Sequence, residues 1–155
     1  MGATDTGFEI EARKALTEYF FAGVNYTLVD SNIELERGTG QVQTSLERPL
    51  AGQSENVFNG IFEFRLPNSG FSTRALVNFF GDRIVDVGSL GLPDIIEEGR
   101  ATLDLVAVYQ WSEVSFRFAA DNVTDADYLF TQGGLTQRLF NIGRGYKFSI
   151  GYNIY

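Results

Sequence analysis

The 155-residue chain contains no cysteine and no histidine. Disulfides, thiolate chemistry and the commonest zinc ligands are therefore excluded, and so is nucleophilic catalysis of the Ser-His or Cys-His kind. Only 12 residues are Lys or Arg against 20 Asp or Glu, giving a formal net charge of −8. A phosphate backbone needs a basic footprint, so nucleic acid is not an expected partner. Proline is scarce, with 3 residues. No apolar run approaches the roughly 20 residues of a membrane helix. The opening Met1-Gly-Ala-Thr-Asp-Thr-Gly7 has neither the basic start nor the apolar stretch of a secretory signal. If the protein is exported, its leader is expected to lie outside this sequence.

What is present is glycine (17), phenylalanine (14) and tyrosine (7), set in alternating polarity. Successive side chains of a strand point to opposite faces. At the end of the chain Tyr146, Phe148, Ile150, Tyr152 and Ile154 share one parity, and Gly145, Lys147, Ser149, Gly151 and Asn153 the other. One face is apolar and the other small or polar. The pattern recurs upstream. Phe8, Ile10 and Ala12 alternate with Glu9, Glu11 and Arg13; Phe20, Ala22, Val24, Tyr26 and Leu28 line a second strand. Phe58 to Leu66, Phe71 to about Val87, Ala101 to Trp111, and Val114 onward repeat it. Residues 122–131 are expected to extend the sixth strand, and the seventh to run from about Gln137 to Tyr155.

The connections alternate in length. Thr17-Glu18, Pro67-Asn-Ser-Gly70 and Trp111-Ser-Glu113 read as tight turns, while Glu36 to Glu55 and Gly88 to Gly99 read as long loops. Aromatics gather at the tight turns: Tyr19, Phe20, Phe64, Phe71, Tyr109, Trp111 and Phe116. The expectation is an all-β chain, an antiparallel up-and-down meander of about seven long strands forming part of a transmembrane β-barrel. Such barrels have short turns on one side, longer loops on the other and aromatic girdles at the interfaces. A soluble β-sandwich or small barrel binding a ligand or partner is the alternative. It requires a second sheet over the Phe58, Phe62 and Phe116 face.

Several segments resemble the C-terminal end of the barrel of TonB-dependent outer-membrane receptors. They are Gly7-Phe-Glu-Ile-Glu-Ala-Arg-Lys-Ala-Leu16, Tyr26-Thr-Leu-Val-Asp-Ser31, Glu47-Arg-Pro-Leu-Ala-Gly-Gln-Ser54, Asp121-Asn-Val-Thr-Asp-Ala-Asp-Tyr128, and Gly143-Arg followed by alternating aromatics. Arg48-Pro-Leu-Ala-Gly-Gln53 with Gly91-Leu-Pro-Asp-Ile95 looks like a subgroup with a carboxypeptidase-like N-terminal domain. The resemblance implies an uptake receptor for ferric siderophores, cobalamin or saccharides, seated in the cell outer membrane. This chain would be its last third, lacking plug and signal peptide. Its partners would be outer-membrane lipid, the remaining barrel strands and plug, the barrel-assembly machinery, and TonB through the missing N-terminal part. No enzyme activity and no cofactor are implied.

The same resemblance makes Tyr146, Phe148, Ile150, Tyr152 and Tyr155 an assembly signal, although Tyr155 falls on the opposite parity from the others. Glu9, Glu11, Arg13, Arg65 and Arg117 become candidate lumen or plug contacts, beside Glu63, Asp104 and Lys147. For any one of them a hydrated polar lining is the simpler reading. Asp121, Asp125 and Asp127 read as strand-end and turn carboxylates rather than a calcium loop. Asp94, Glu97 and Glu98 read as a solvated acidic loop. No catalytic or metal-ligating constellation is marked.

Overall fold

The computed structural model describes residues 2–36, 38 and 42–153. They form antiparallel strands with no helix among them. The strands are β1 (Gly2–Ala15), β2 (Phe20–Glu34), β3 (Glu47–Arg48), β4 (Asn56–Leu66), β5 (Phe71–Phe80), β6 (Arg83–Asp86), β7 (Ile95–Glu97), β8 (Arg100–Trp111), β9 (Val114–Asp121), β10 (Asp127–Gln132), β11 (Leu135–Asn141) and β12 (Gly145–Tyr152).

Seven of them make one meander, in the order β1-β2-β4-β5-β8-β9-β12, with β3 paired to β2. β1 and β12 are its two edges, so the sheet is open. The four others make a second sheet, β11-β10-β7-β6. β1 and β2 run for 14 and 15 residues, and β9 and β12 for 8 each.

All three tight turns lie at one end of the meander. Arg65 donates its backbone N–H to Tyr19 O, Gln110 to Gly70 O and Asn153 to Glu113 O, at 2.8, 2.8 and 2.9 Å. The first two turns have a local cause. Thr17 Oγ1 accepts from the backbone of Tyr19 and Phe20. Ser69 Oγ donates to Leu66 O and accepts from Phe71 N. Gly70 sits at φ 72° with Gln110 O just 2.1 Å from where a Cβ would be, so only glycine fits there.

The long connections meet at the opposite end. Loop 35–55 and the β6–β7 segment are zipped together by Thr44 N to Gly88 O and Leu90 N to Val42 O, at 2.9 and 2.7 Å. The Glu47-to-Ser54 stretch folds back over the wall: Leu50 N is held by Ser31 Oγ, and Gly52 N by Ile84 O at 2.7 Å.

Three strand extents differ from the sequence expectation. The fourth expected strand stops at Phe80 rather than running to Val87. The sixth stops at Asp121 rather than continuing through 131. The seventh is interrupted at 142–144. The pieces beyond each break are β6, β10 and β11, which join β7 in the small sheet. The physical reasons are a close backbone approach at one break and a turn at another. Gly99 comes so close to the end of β5 that a Cβ would lie 2.7 Å from Phe80 O, and its N–H donates to Asp82 Oδ1 at 2.7 Å. Asn122 turns the chain at φ 53°. The expected tight turns and the Gln132-Gly-Gly134 connection lie where the sequence placed them, but both expected long loops carry strands: β3 within Glu36 to Glu55, of which residues 37 and 39–41 lie outside the described residues, and β7 within Gly88 to Gly99.

Candidate functional site

Register carries one apolar face across the whole meander. Ile10 faces Tyr26, Tyr26 faces Phe58, Phe58 faces Phe79 and Phe79 faces Ala101. Leu105 faces Ala120, which faces Tyr146; Phe118 faces Phe148, and Val114 faces Tyr152. No described element packs over this face, because the substantial contacts all join ladder neighbours. Phe8 is 61% exposed, Phe62 47%, Trp111 65% and Phe148 65%.

The buried apolar side chains among the described residues are Ile84, Ala119, Ala120 and Phe130. The second sheet demanded by a sandwich is therefore not found among the described residues. The polar groups on the face mostly turn inward on the backbone or on each other. Thr73 Oγ1 donates to Val106 O at 3.0 Å, and the Tyr26 hydroxyl donates to Asn56 Oδ1. Among the charged residues of this parity, Lys14, facing Ala22, lies beside the first tight turn, and Asp30 and Glu34 lie at the opposite end of β2.

Aromatics ring the turn end. Phe20 and Phe64 rings lie 4.9 Å apart and Phe64 and Phe71 6.4 Å. Phe71 faces Tyr109, which faces Phe116. From Phe71 to Phe79 along β5 is eight residue steps, roughly 27 Å at strand rise. A tilt of about 40° reduces that to about 21 Å, close to the ~25 Å apolar band of an outer-membrane barrel.

The opposite face carries the polar residues. Glu11 faces Asn25, Asn25 faces Asn59, Asn59 faces Asn78 and Asn78 faces Thr102, a row across five strands. Asn78 Nδ2 donates to Asn59 Oδ1 at 2.6 Å, and Asn25 Nδ2 to Glu9. Around this row lies a hollow of about 220 Å³ whose lining includes Glu11, Arg13, Asn25, Asn59, Asn78 and Asp104. Arg13 pairs with Glu11 at 2.5 Å. Glu63 pairs with Arg74 at 2.6 Å and lies 4.0 Å from Arg65. Lys147 reaches Asp121 at 2.7 Å. Arg117 faces Val108 and Ser149 on the same side. Glu9, Glu11 and Arg13 thus sit together, while Arg65 lies at the turn end and Arg117 some strands away. Tyr146, Phe148, Ile150 and Tyr152 line the bare face of the edge strand β12, each about two-thirds exposed. Tyr155 and Ile154 lie outside the described residues.

One cluster was not legible in the sequence. Glu97 is a buried carboxylate, 4% exposed, not part of a solvated acidic loop. Register places Arg83 opposite Glu97 and Glu97 opposite Phe130. Arg83 donates to Glu97 Oε2 through Nε at 2.8 Å and approaches it through Nη2 at 2.7 Å, and Arg100 donates to Oε1. Burial pushes the Glu97 carboxyl up, but the hydrogen bonds and charges of Arg83 and Arg100 outweigh it and hold it below its ordinary value. The Arg100 guanidinium lies between the rings of Phe80 and Tyr128, 4.5 and 3.6 Å from their centres, and Arg83 lies 4.6 Å over Phe80. Of the neighbouring acids, Glu98 accepts from Thr131 Oγ1 at 2.6 Å and Asp94 from Gly88 N at 2.6 Å. Arg100 is only three residues from Glu97, but Arg83 is fourteen away and is brought to it by the ladder.

Asn122 organises the junction between the sheets. Its backbone N–H donates to Asp104 Oδ1 at 2.7 Å, its Nδ2 to Gly143 O at 2.9 Å, and its Oδ1 accepts from Ala126 N at 3.1 Å. The neighbouring acids hold their own partners: Asp125 with Arg144 at 3.6 Å, Asp127 with Asn141 at 2.8 Å. No group of residues suited to holding a metal ion occurs among the described residues. The chain matches no family model and no curated protein.

Proposed function

We propose that the chain is a wall segment of a TonB-dependent outer-membrane receptor barrel, serving uptake of a nutrient in the siderophore, cobalamin or saccharide class. The apolar face would meet lipid and the polar face the lumen. The observation that carries the membrane part is the continuous apolar face of seven strands with no described element over it. A water-soluble domain of this length hides most of its apolar surface in a core, whereas lipid removes the need for one. The gathering of tight turns at one end and long connections at the other supports the same reading. The receptor part rests on the segments that resemble the family. Among them the Asp121-to-Tyr128 stretch forms a specific hydrogen-bonded turn centred on Asn122. The open edges at β1 and β12 would be completed by the remaining strands, and the polar face by the plug. TonB and the assembly machinery act at the level of the whole receptor.

Trp111 is the chain's single tryptophan and provides the test. Refolded into vesicles containing brominated lipids, its fluorescence is expected to be quenched, more strongly by bromines near the headgroups than by bromines at the chain ends. A chain that stays monomeric in buffer without detergent, with Trp111 unquenched, would overturn the membrane reading in favour of a soluble binding module. A plug-encoding sequence is expected immediately upstream in the same reading frame. An unrelated complete gene there would remove the receptor part.

A further inference from the structure

The small sheet has two unlike faces. One row across it reads Arg83, Glu97, Phe130, Arg138, each opposite the next on the neighbouring strand. Tyr128 and Phe140 form the adjacent row on the same face. Their rings stack at 4.8 Å, and Phe130 and Phe140 stack at 5.9 Å. Arg100 joins from the large sheet by lying on Tyr128. The carboxylates of Glu98 and Asp127 alternate onto the other face, where Thr131 and Asn141 hold them. The aromatic face therefore presents three guanidinium groups against two carboxylates, Glu97 and, opposite Ile95, Asp86, in a chain whose net charge is −8.

Two of those groups, Arg83 and Arg100, are committed to Glu97. Arg138 is different. It has no carboxylate partner among the described residues, and its guanidinium lies 4.0 Å from the centre of the Phe130 ring. Phe130 is buried, so the ring is a fixed platform. A guanidinium laid on a ring keeps its N–H donors in its own plane, directed outward, in the fork that matches a carboxylate. Beside it Phe140, whose ring stacks with those of Tyr128 and Phe130, is 42% exposed, so part of that ring meets solvent.

We propose that this face binds a small aromatic carboxylate, the carboxylate held by the Arg138 fork and the ring stacked against Phe140. Arg83 and Arg100 supply the surrounding positive field without being displaced from Glu97. The proposal deepens the uptake reading by naming a ligand class, and rests on it only for which face meets solutes.

The probe is benzoate, titrated into the full chain folded in detergent and followed by ligand-observed nuclear magnetic resonance. All variants are measured in the same detergent so that partition into micelles cancels. Arg138→Ala is expected to weaken binding at least tenfold. Arg138→Lys, which keeps the charge and loses the fork, should fall between. Lys14→Gln, at the far end of the meander, should leave it unchanged. Benzamide, with the ring but no charge, and acetate, with the charge but no ring, should both bind more weakly than benzoate. Equal benzoate affinity for wild type and Arg138→Ala, with the amide spectrum of β10 and β11 intact, would overturn the proposal. So would inorganic phosphate or acetate binding as tightly as benzoate, or benzamide matching it. Vesicle insertion without benzoate binding would sink this inference alone, and benzoate binding without insertion would sink the membrane reading alone.

Discussion

The two sheets are cut from the same runs of chain yet are held together differently. β5, β8, β9 and β12 stand in the same lateral order as β6, β7, β10 and β11, which continue them past four breaks at one height. In the large sheet the ladder itself does the holding. Its side chains divide into a bare apolar face and a polar one, and few are buried. In the small sheet the strands are as short as three residues, too short for a ladder to be stable alone. Side chains take over there: Glu97 between two arginines, guanidinium groups on rings, Phe130 and Ile84 buried. Under the membrane reading proposed above, a sheet that lays one face on lipid would need no core, whereas the part beyond the lipid would have to build one.

The sharpest way to break this comparison is Glu97→Ala. It leaves Arg100 and the one-third exposed Arg83 beside each other without their carboxylate. The expected cost is about 3 kcal/mol, the lower end for breaking a buried pair. Hydrogen exchange should quicken in β6, β7 and β10 while β4 and β5 keep their protection. Equal loosening of both sheets would show that they are one cooperative unit. Asn122→Ala comes next, at about 2 kcal/mol, from three lost side-chain hydrogen bonds and a left-handed backbone that alanine tolerates poorly. Asn122→Gly should recover only the backbone share, and full recovery would mean that the hydrogen bonds contribute nothing. The smallest effect is that of acid. The native Glu97 carboxyl lies below the ordinary 4.5, so its contribution is complete above that pH and fades as the pH falls through the lowered native value. Circular dichroism and exchange followed as the pH is lowered below 4.5 should show the small sheet loosening before the large one. The Glu97→Ala variant should lack that step.

Much of the fold could be read in advance for a plain reason. Alternation fixes which side chains share a face, and Thr17, Pro67-Asn-Ser-Gly70 and Ser112 mark where the chain must reverse. The breaks could not be read. The fourth strand ends at Phe80 because Gly99 on the neighbouring run approaches the backbone of Phe80, a contact between residues nineteen apart in sequence. Asn122 stood out in the sequence as part of a familiar-looking segment, without its task as a hub. Of the candidate site residues, Glu9, Glu11 and Arg13 could be placed on the polar face by parity alone. The Asn25, Asn59 and Asn78 row could not, since it depends on register between strands. The Arg83–Glu97–Arg100 cluster and the Arg138 fork were hidden for the same reason.

The sequence by itself determined the all-β meander, the tight turns and the two-faced strands, because strand parity and turn chemistry act over two to four residues. Tertiary structure alone decided that four runs of chain break together and start a second sheet, that nothing among the described residues covers the apolar face, and that a glutamate in an acidic stretch lies buried between arginines. Each of those depends on lateral register and on close backbone approach, which bring together residues that no local pattern connects.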